Sequence, residues 1–167
     1  MSTELTLYGY WRSSAAYRVR IALNLKGLAY RQVPVHLVKD GGQQRAADYR
    51  ALNPQQLVPL LVDEANGGAR ISQSLAILEY LDEVFPVPAL LPADPVERAQ
   101  VRSLAMHIAC EIHPLNNLRV LTSLRRDLGA DQETVGAWAA RWIAPGFDAL
   151  DALVARHGAG FSFGDEP

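Results

Sequence analysis

Leu5-Thr6-Leu7-Tyr8 leads, after a short turn, into Arg12-Ser13-Ser14-Ala15-Ala16-Tyr17-Arg18-Val19-Arg20-Ile21-Ala22-Leu23. The first run is apolar and strand-like. In the second, Ala16, Val19 and Leu23 recur at helical spacing and Gly27 stops the pattern, which predicts a helix over Ala15–Lys26. Ser13 and Ser14 fall at the helix start, where the first backbone N–H groups have no acceptor inside the helix. Two readings fit them. One is a plain cap. The other is an anion site, in which unpaired amides, the positive end of the helix dipole and a hydroxyl together suit a thiolate or a carboxylate.

Outward from this stretch, Tyr30–Val35 reads as a second strand, followed by the loop Lys39-Asp40-Gly41-Gly42 and a weak helix near Gln44–Tyr49. Leu60–Asp63 and Ala69–Ser72 read as two strands joined by Glu64-Ala65-Asn66-Gly67-Gly68, a hairpin signal. A helix is expected from Ser74, with Ile77, Leu78, Leu81 and Phe85 on one face. The order βαβ then ββα implies a mixed sheet with helices packed against it, an α/β domain over residues 1–85. Pro86, Pro88, Pro92 and Pro95 crowd the next segment, so residues 86–95 are expected to be a linker.

From residue 96 to residue 167 the pattern is all-α. Val101, Leu104, Ala105, Ile108, Ile112 and Leu115 form one stripe. A second helix starts near Thr134 with Val135, Trp138, Trp142, Leu150 and Leu153 inward, and Pro145-Gly146 predicts a kink or break near Trp142–Gly146.

The 167 residues are 49% hydrophobic and 20% charged with a formal net charge of −2, an ordinary globular composition. Arg125-Arg126 is only a pair, and no basic stripe suits nucleic acid. No apolar run is long enough to span a bilayer, and the N-terminus does not read as a secretory leader. The single Cys110 cannot form an internal disulfide, which fits a reducing, cytoplasmic setting. Cys110 is expected to be a small core residue and Trp138 and Trp142 to be core aromatics. His107 and His113 do not share a helical face, so no metal pair is expected. His36 and His157 read as solvated or structural.

Three further segments carry a resemblance. Asn53-Pro54-Gln55-Gln56-Leu57-Val58-Pro59-Leu60-Leu61 is similar to the loop and strand bearing the cis-proline of a thioredoxin-like domain. Gln73-Ser74-Leu75-Ala76-Ile77-Leu78-Glu79-Tyr80-Leu81 is similar to the corner that holds the γ-glutamyl end of glutathione. With Arg12–Leu23 and Lys39-Asp40-Gly41-Gly42-Gln43-Gln44, the segment Ile112-His113-Pro114-Leu115-Asn116-Asn117-Leu118-Arg119 resembles the zeta class of glutathione transferases, the group of the maleylacetoacetate and maleylpyruvate isomerases. The resemblance runs over essentially the whole chain.

The resemblance implies a thioredoxin-like N-terminal domain, an all-α C-terminal domain, glutathione as cofactor and a homodimer. Ser14 is implied as the main catalytic residue, with Ser13 beside it. Glutathione is implied to meet Ser13, Ser14, Ala15, Arg18, Gln44, Val58, Gln73, Ser74, His113, Asn117, Leu118 and Arg119. Arg12 and Arg20 are implied as cations for a dicarboxylate substrate; at their spacing Arg18 and Arg20 take different directions from one helix. The implied reaction is cis–trans isomerisation. A glutathione thiolate adds to the double bond of a maleyl compound, the resulting single bond rotates, and elimination leaves the fumaryl product with glutathione regenerated. Two other readings stay open: a transferase or dehalogenase acting on small electrophiles such as α-haloacids, and a non-catalytic interaction module.

Two departures bear on this. Ala15 stands where some zeta-class members carry cysteine, which leaves the hydroxyl route to the thiolate. The run Phe161-Ser162-Phe163-Gly164-Asp165-Glu166-Pro167 resembles the segment before a buried helix of the family, so the helical domain is expected to be truncated.

Overall fold

The structure, a computed structural model, describes residues 4–165. Glu166 and Pro167, the last residues of the C-terminal resemblance, lie outside the described residues. The chain divides into two compact units, one running to Leu90 and the other starting at Leu91.

The first unit is a four-stranded sheet in the order β2-β1-β3-β4, with β1 at Leu5–Gly9, β2 at Tyr30–Pro34, β3 at Leu60–Asp63 and β4 at Ala69–Ser72. β1 pairs parallel with β2 across the helical crossover α1 (Ser14–Leu25) and antiparallel with β3, which forms a hairpin with β4. This is the mixed βαβ–ββα sheet that the order of apolar runs predicts. Alternation along the strands divides the core. Leu5, Leu7 and Leu61 meet Val19 and Leu23 of α1 and Ile77 and Leu81 of α3 (Ser74–Val84). Leu60 and Val62 turn to the other face, against Val35 and Tyr49. Tyr49 belongs to the short helix α2 (Ala47–Leu52), and a separate single-turn 3₁₀ segment, Gln43–Arg45, precedes it.

Two buried polar clusters tie this unit together. The Lys26 side chain is fully buried, and Nζ donates to Asp82 Oδ1 at 2.9 Å and to the carbonyls of Phe85 and Pro88, both at 2.7 Å. All three ammonium donors are therefore used. Asp82 Oδ1 also accepts from Leu90 N–H at 2.7 Å. In the hairpin, Asp63 accepts from Asn66 and from the Tyr80 hydroxyl. Burial opposes ionisation of Asp63, yet the bonds from Asn66, Tyr80 and the Ala65 amide outweigh it and hold the carboxyl below its usual range.

The second unit is helical: α4 (Pro95–Met106), α5 (Leu118–Arg126) and α6 (Gln132–His157), each capped by an aspartate or asparagine at Asp94, Asn117 and Asp131. Three expectations are corrected here. First, α6 runs through Pro145 without a break. Pro145 and Arg141 are both exposed, so water can satisfy the carbonyl that loses its helical donor. Second, Cys110 is exposed. The α4 pattern passes into a π-helical segment over His107–Ile112, where the wider turn rotates the register; Ile112 is buried and Cys110 faces out. Third, Trp142 is exposed, its ring lying edge-on to Trp138 at 5.8 Å. Trp138 is half-buried and donates from Nε1 to the Leu115 carbonyl at 2.8 Å.

Candidate functional site

Register alone collects the predicted residues of the first unit. Tyr8 pairs with Leu60, and Leu60 with Ser72, so one row crosses β1, β3 and β4. Gly9 of β1 pairs with Pro34 of β2 one step further on. The chain leaves this end of the sheet toward Ser13 after β1, toward Gln44 after β2 and toward Gln73 after β4, and it arrives there through Val58 before β3. Four segments distant in sequence thus share one end of the sheet.

The two helix starts differ. Ser13 caps α1, its Oγ accepting from Ala16 N–H at 3.2 Å. Ser14, the first helical residue, is exposed. The Ala15 N–H stands in the first turn, where helical geometry supplies no acceptor. Ser13 therefore takes the cap, and the exposed residue Ser14 follows it in the first turn. At α3 the cap position is Gln73, which makes no side-chain cap bond. Its Nε2 instead reaches Gln55 Oε1 at 3.0 Å. Gln73 has φ 69° and ψ 116°, an unusual conformation for a residue with a side chain. Ser74 follows, buried, as the first residue of α3.

Val58 precedes Pro59 across a cis bond. The approach to it is held by two side chains that sequence reasoning did not single out. Tyr49 Oη donates to the Leu57 carbonyl at 2.6 Å and Asn53 Nδ2 donates to the same oxygen at 2.9 Å. Burial pushes the Tyr49 hydroxyl up to about 12, its Asn53 contact acting the other way and neighbouring Tyr8 adding to the rise. Tyr49 therefore keeps its proton throughout the physiological range. An Asn-Pro turn signal marks the segment, but nothing local shows that Tyr49 bonds to it.

Gln44 is 9% exposed; its Nε2 donates to the Leu37 carbonyl at 3.3 Å, and Oε1 is buried with no hydrogen-bond partner. Such an acceptor calls for a donor from outside. Gly42 beside it has φ 99°, and a Cβ there would lie 2.7 Å from the Gln44 amide nitrogen. His36 shapes this loop, its Nδ1 accepting from the N–H groups of Val38 and Lys39.

The arginines flank the α1 start. Arg12 is exposed with its guanidinium 5.5 Å from the Trp11 ring centroid. Arg20 lies 5.0 Å over Tyr17 and reaches back toward the Trp11 carbonyl at 3.5 Å. Arg18 is half-buried on the same helix. The remaining predicted residues belong to the second unit. His113 ends the π-helical segment, Asn117 Oδ1 caps α5 by accepting from Val120 N–H at 3.2 Å, and Leu118 and Arg119 are exposed in the first turn of α5.

The first unit therefore offers two helix N-termini for anions, a serine on an exposed first turn, a buried unpaired amide oxygen and a fixed backbone segment. That donor and acceptor set fits an anionic tripeptide with a thiol. No group of His, Cys, Asp or Glu able to hold a metal occurs among the described residues.

Comparison with known proteins agrees. Residues 3–83 match the glutathione S-transferase N-terminal domain. A probable maleylacetoacetate isomerase of Vibrio cholerae is 52% identical over 157 residues, covering 94% of this chain and 71% of the relative. The holo structure of a maleylpyruvate isomerase, a bacterial glutathione transferase of the zeta class, superposes with a TM-score of 0.90 at 48% identity, covering 97% of this chain and 75% of that one. A maleylacetoacetate isomerase of Methylobacterium extorquens, with bound malonate and glutathione, superposes with a TM-score of 0.89 at 42% identity, covering 96% and 74%.

Proposed function

From the premise that this chain belongs to the zeta-class glutathione transferase family, we propose that it is a glutathione-dependent cis–trans isomerase of maleylacetoacetate or maleylpyruvate. The observation that carries the reading is Ser14, an exposed residue on the first turn of α1, beside an N-terminus already capped by Ser13. Bound glutathione supplies a thiolate that adds reversibly to the maleyl double bond, so that the bond can rotate.

The chain's part is to bind, orient and hold charge. A thiol of pKa near 8.5 is only a few per cent ionised at neutral pH. Ser14, the Ala15 amide and the α1 dipole favour its anion. Val58 offers its backbone to the cysteinyl part, and Ser74 with Gln73 offers the α3 N-terminus to the γ-glutamyl carboxylate. Gln44 supplies an acceptor. Assignment of Arg18, His113, Asn117, Leu118 and Arg119 to glutathione rests on the family resemblance. Arg12 and Arg20 offer positive charge to the substrate carboxylates, a role that suits the malonate and glutathione held by the Methylobacterium relative. A homodimer in the cytoplasm, where glutathione is abundant and Cys110 stays reduced, completes the proposal.

The test is to supply each maleyl substrate with and without glutathione and to follow both the fumaryl product and the thiol pool. The expected result is glutathione-dependent isomerisation with the pool undiminished. Stoichiometric loss of thiol would identify a transferase instead.

A further inference from the structure

We infer that Tyr49 is a positioning residue for glutathione binding, acting through the peptide that joins Leu57 to Val58. The inference rests on the proposed role of the Val58 backbone. A trans peptide is planar, with its C=O and N–H pointing in opposite directions. The Leu57 carbonyl and the Val58 N–H belong to one such unit, the cis bond coming only after Val58. Whatever fixes the Leu57 oxygen therefore aims the Val58 N–H.

That oxygen is fixed twice. Tyr49 Oη reaches it at 2.6 Å and Asn53 Nδ2 at 2.9 Å. The two side chains are 5% and 3% exposed. They stand four residues apart, Tyr49 within α2 and Asn53 at its C-cap, and both reach the same oxygen. Each is held in turn. The Tyr49 ring packs with Val35, Leu60 and Val62 and lies 6.0 Å from the Tyr8 ring. Asn53 N–H donates to the Tyr49 carbonyl at 2.8 Å, and Asn53 Oδ1 accepts from Gln55 N–H at 3.1 Å. One donor would satisfy the carbonyl; the second restricts the plane of the peptide. Donation to the carbonyl also polarises the peptide and makes its N–H a better donor on the far side. Helix α2 and its C-cap thus deliver an oriented N–H to the end of the sheet where Ser13, Gln44 and Gln73 also lie.

Tyr49→Phe keeps the ring and removes the hydroxyl. It should raise the Kd for glutathione about 3- to 10-fold, the range of one hydrogen bond, and leave kcat at saturating glutathione near wild type. Hydrogen exchange supplies the readout that a merely structural role would not move. Saturating glutathione should slow exchange of the Val58 amide in the wild type and slow it less in Tyr49→Phe. Asn53→Ser, which withdraws the other donor, should shift Kd in the same direction and serves if the first variant does not fold. A folded Tyr49→Phe that melts earlier yet binds glutathione as wild type, with Val58 equally protected, would overturn the inference alone. A wild-type chain that does not bind glutathione would overturn the functional reading and this inference with it.

Discussion

Ser13 and Ser14 are neighbours whose tasks separate under substitution. Ser13→Ala removes the acceptor of the Ala16 N–H and should lower stability by about 1 kcal/mol, measured by thermal or denaturant unfolding. Ser14→Ala leaves that cap in place and should reduce turnover about 10- to 100-fold, the scale of losing one hydrogen bond to a developing anion, measured at saturating substrate and glutathione. Wild-type turnover in Ser14→Ala would contradict its role. At this scale the sequence reveals what short-range rules govern. A serine pair before a helical pattern is such a case. Positive φ at Gln73 and Gln56 is not, because neither is a glycine and the surrounding structure imposes the conformation. The shared grip of Tyr49 and Asn53 on Leu57 was equally hidden, since bonding geometry and not residue spacing reveals it.

Among the elements, the strands were the most legible. Leu60–Asp63 and Ala69–Ser72 carry alternating or continuous apolar residues between turn signals, and they are strands over those bounds. The π-helical stretch at His107–Ile112 was not legible, because a stripe at helical period contains no mark of an inserted residue. That miss moved Cys110 from core to surface. The buried Lys26 also escaped notice, since its partners come from α3 and the segment after it. Lys26→Met strands Asp82 and two carbonyls, and the first unit should lose about 3 kcal/mol in equilibrium unfolding. The hairpin makes a prediction in pH. The folded-state value of Asp63 is lowered, so its stabilisation is complete above the unfolded value of about 3.9 and is lost as pH falls through the folded one. Asp63→Asn should therefore unfold more readily than wild type by about 1–3 kcal/mol at neutral pH. The gap should close in acid, as read from paired melts across the pH range.

For the whole molecule, ligand and stability are linked. On the proposed function glutathione binds the folded chain, so at about a hundred times Kd it should stabilise the protein by about 2.7 kcal/mol. A rising midpoint with glutathione concentration would register this, and an unmoved midpoint would count against the site. The family and the α/β-plus-helical class were legible because motifs recur in order over nearly the full chain. The helix is not broken at Pro145, because an exposed helix face lets water replace the lost bond.

Cys110 has a practical bearing on work with this protein. It is the sole cysteine and it faces solvent. Air-exposed samples can cross-link pairwise through it, or take up a glutathione cap from an oxidised stock, with no change in fold. Sizing by chromatography or light scattering should therefore be run with fresh reductant, and an artefactual doublet will vanish there while a native assembly persists. The same thiol accepts a single maleimide dye per chain, on the helical unit.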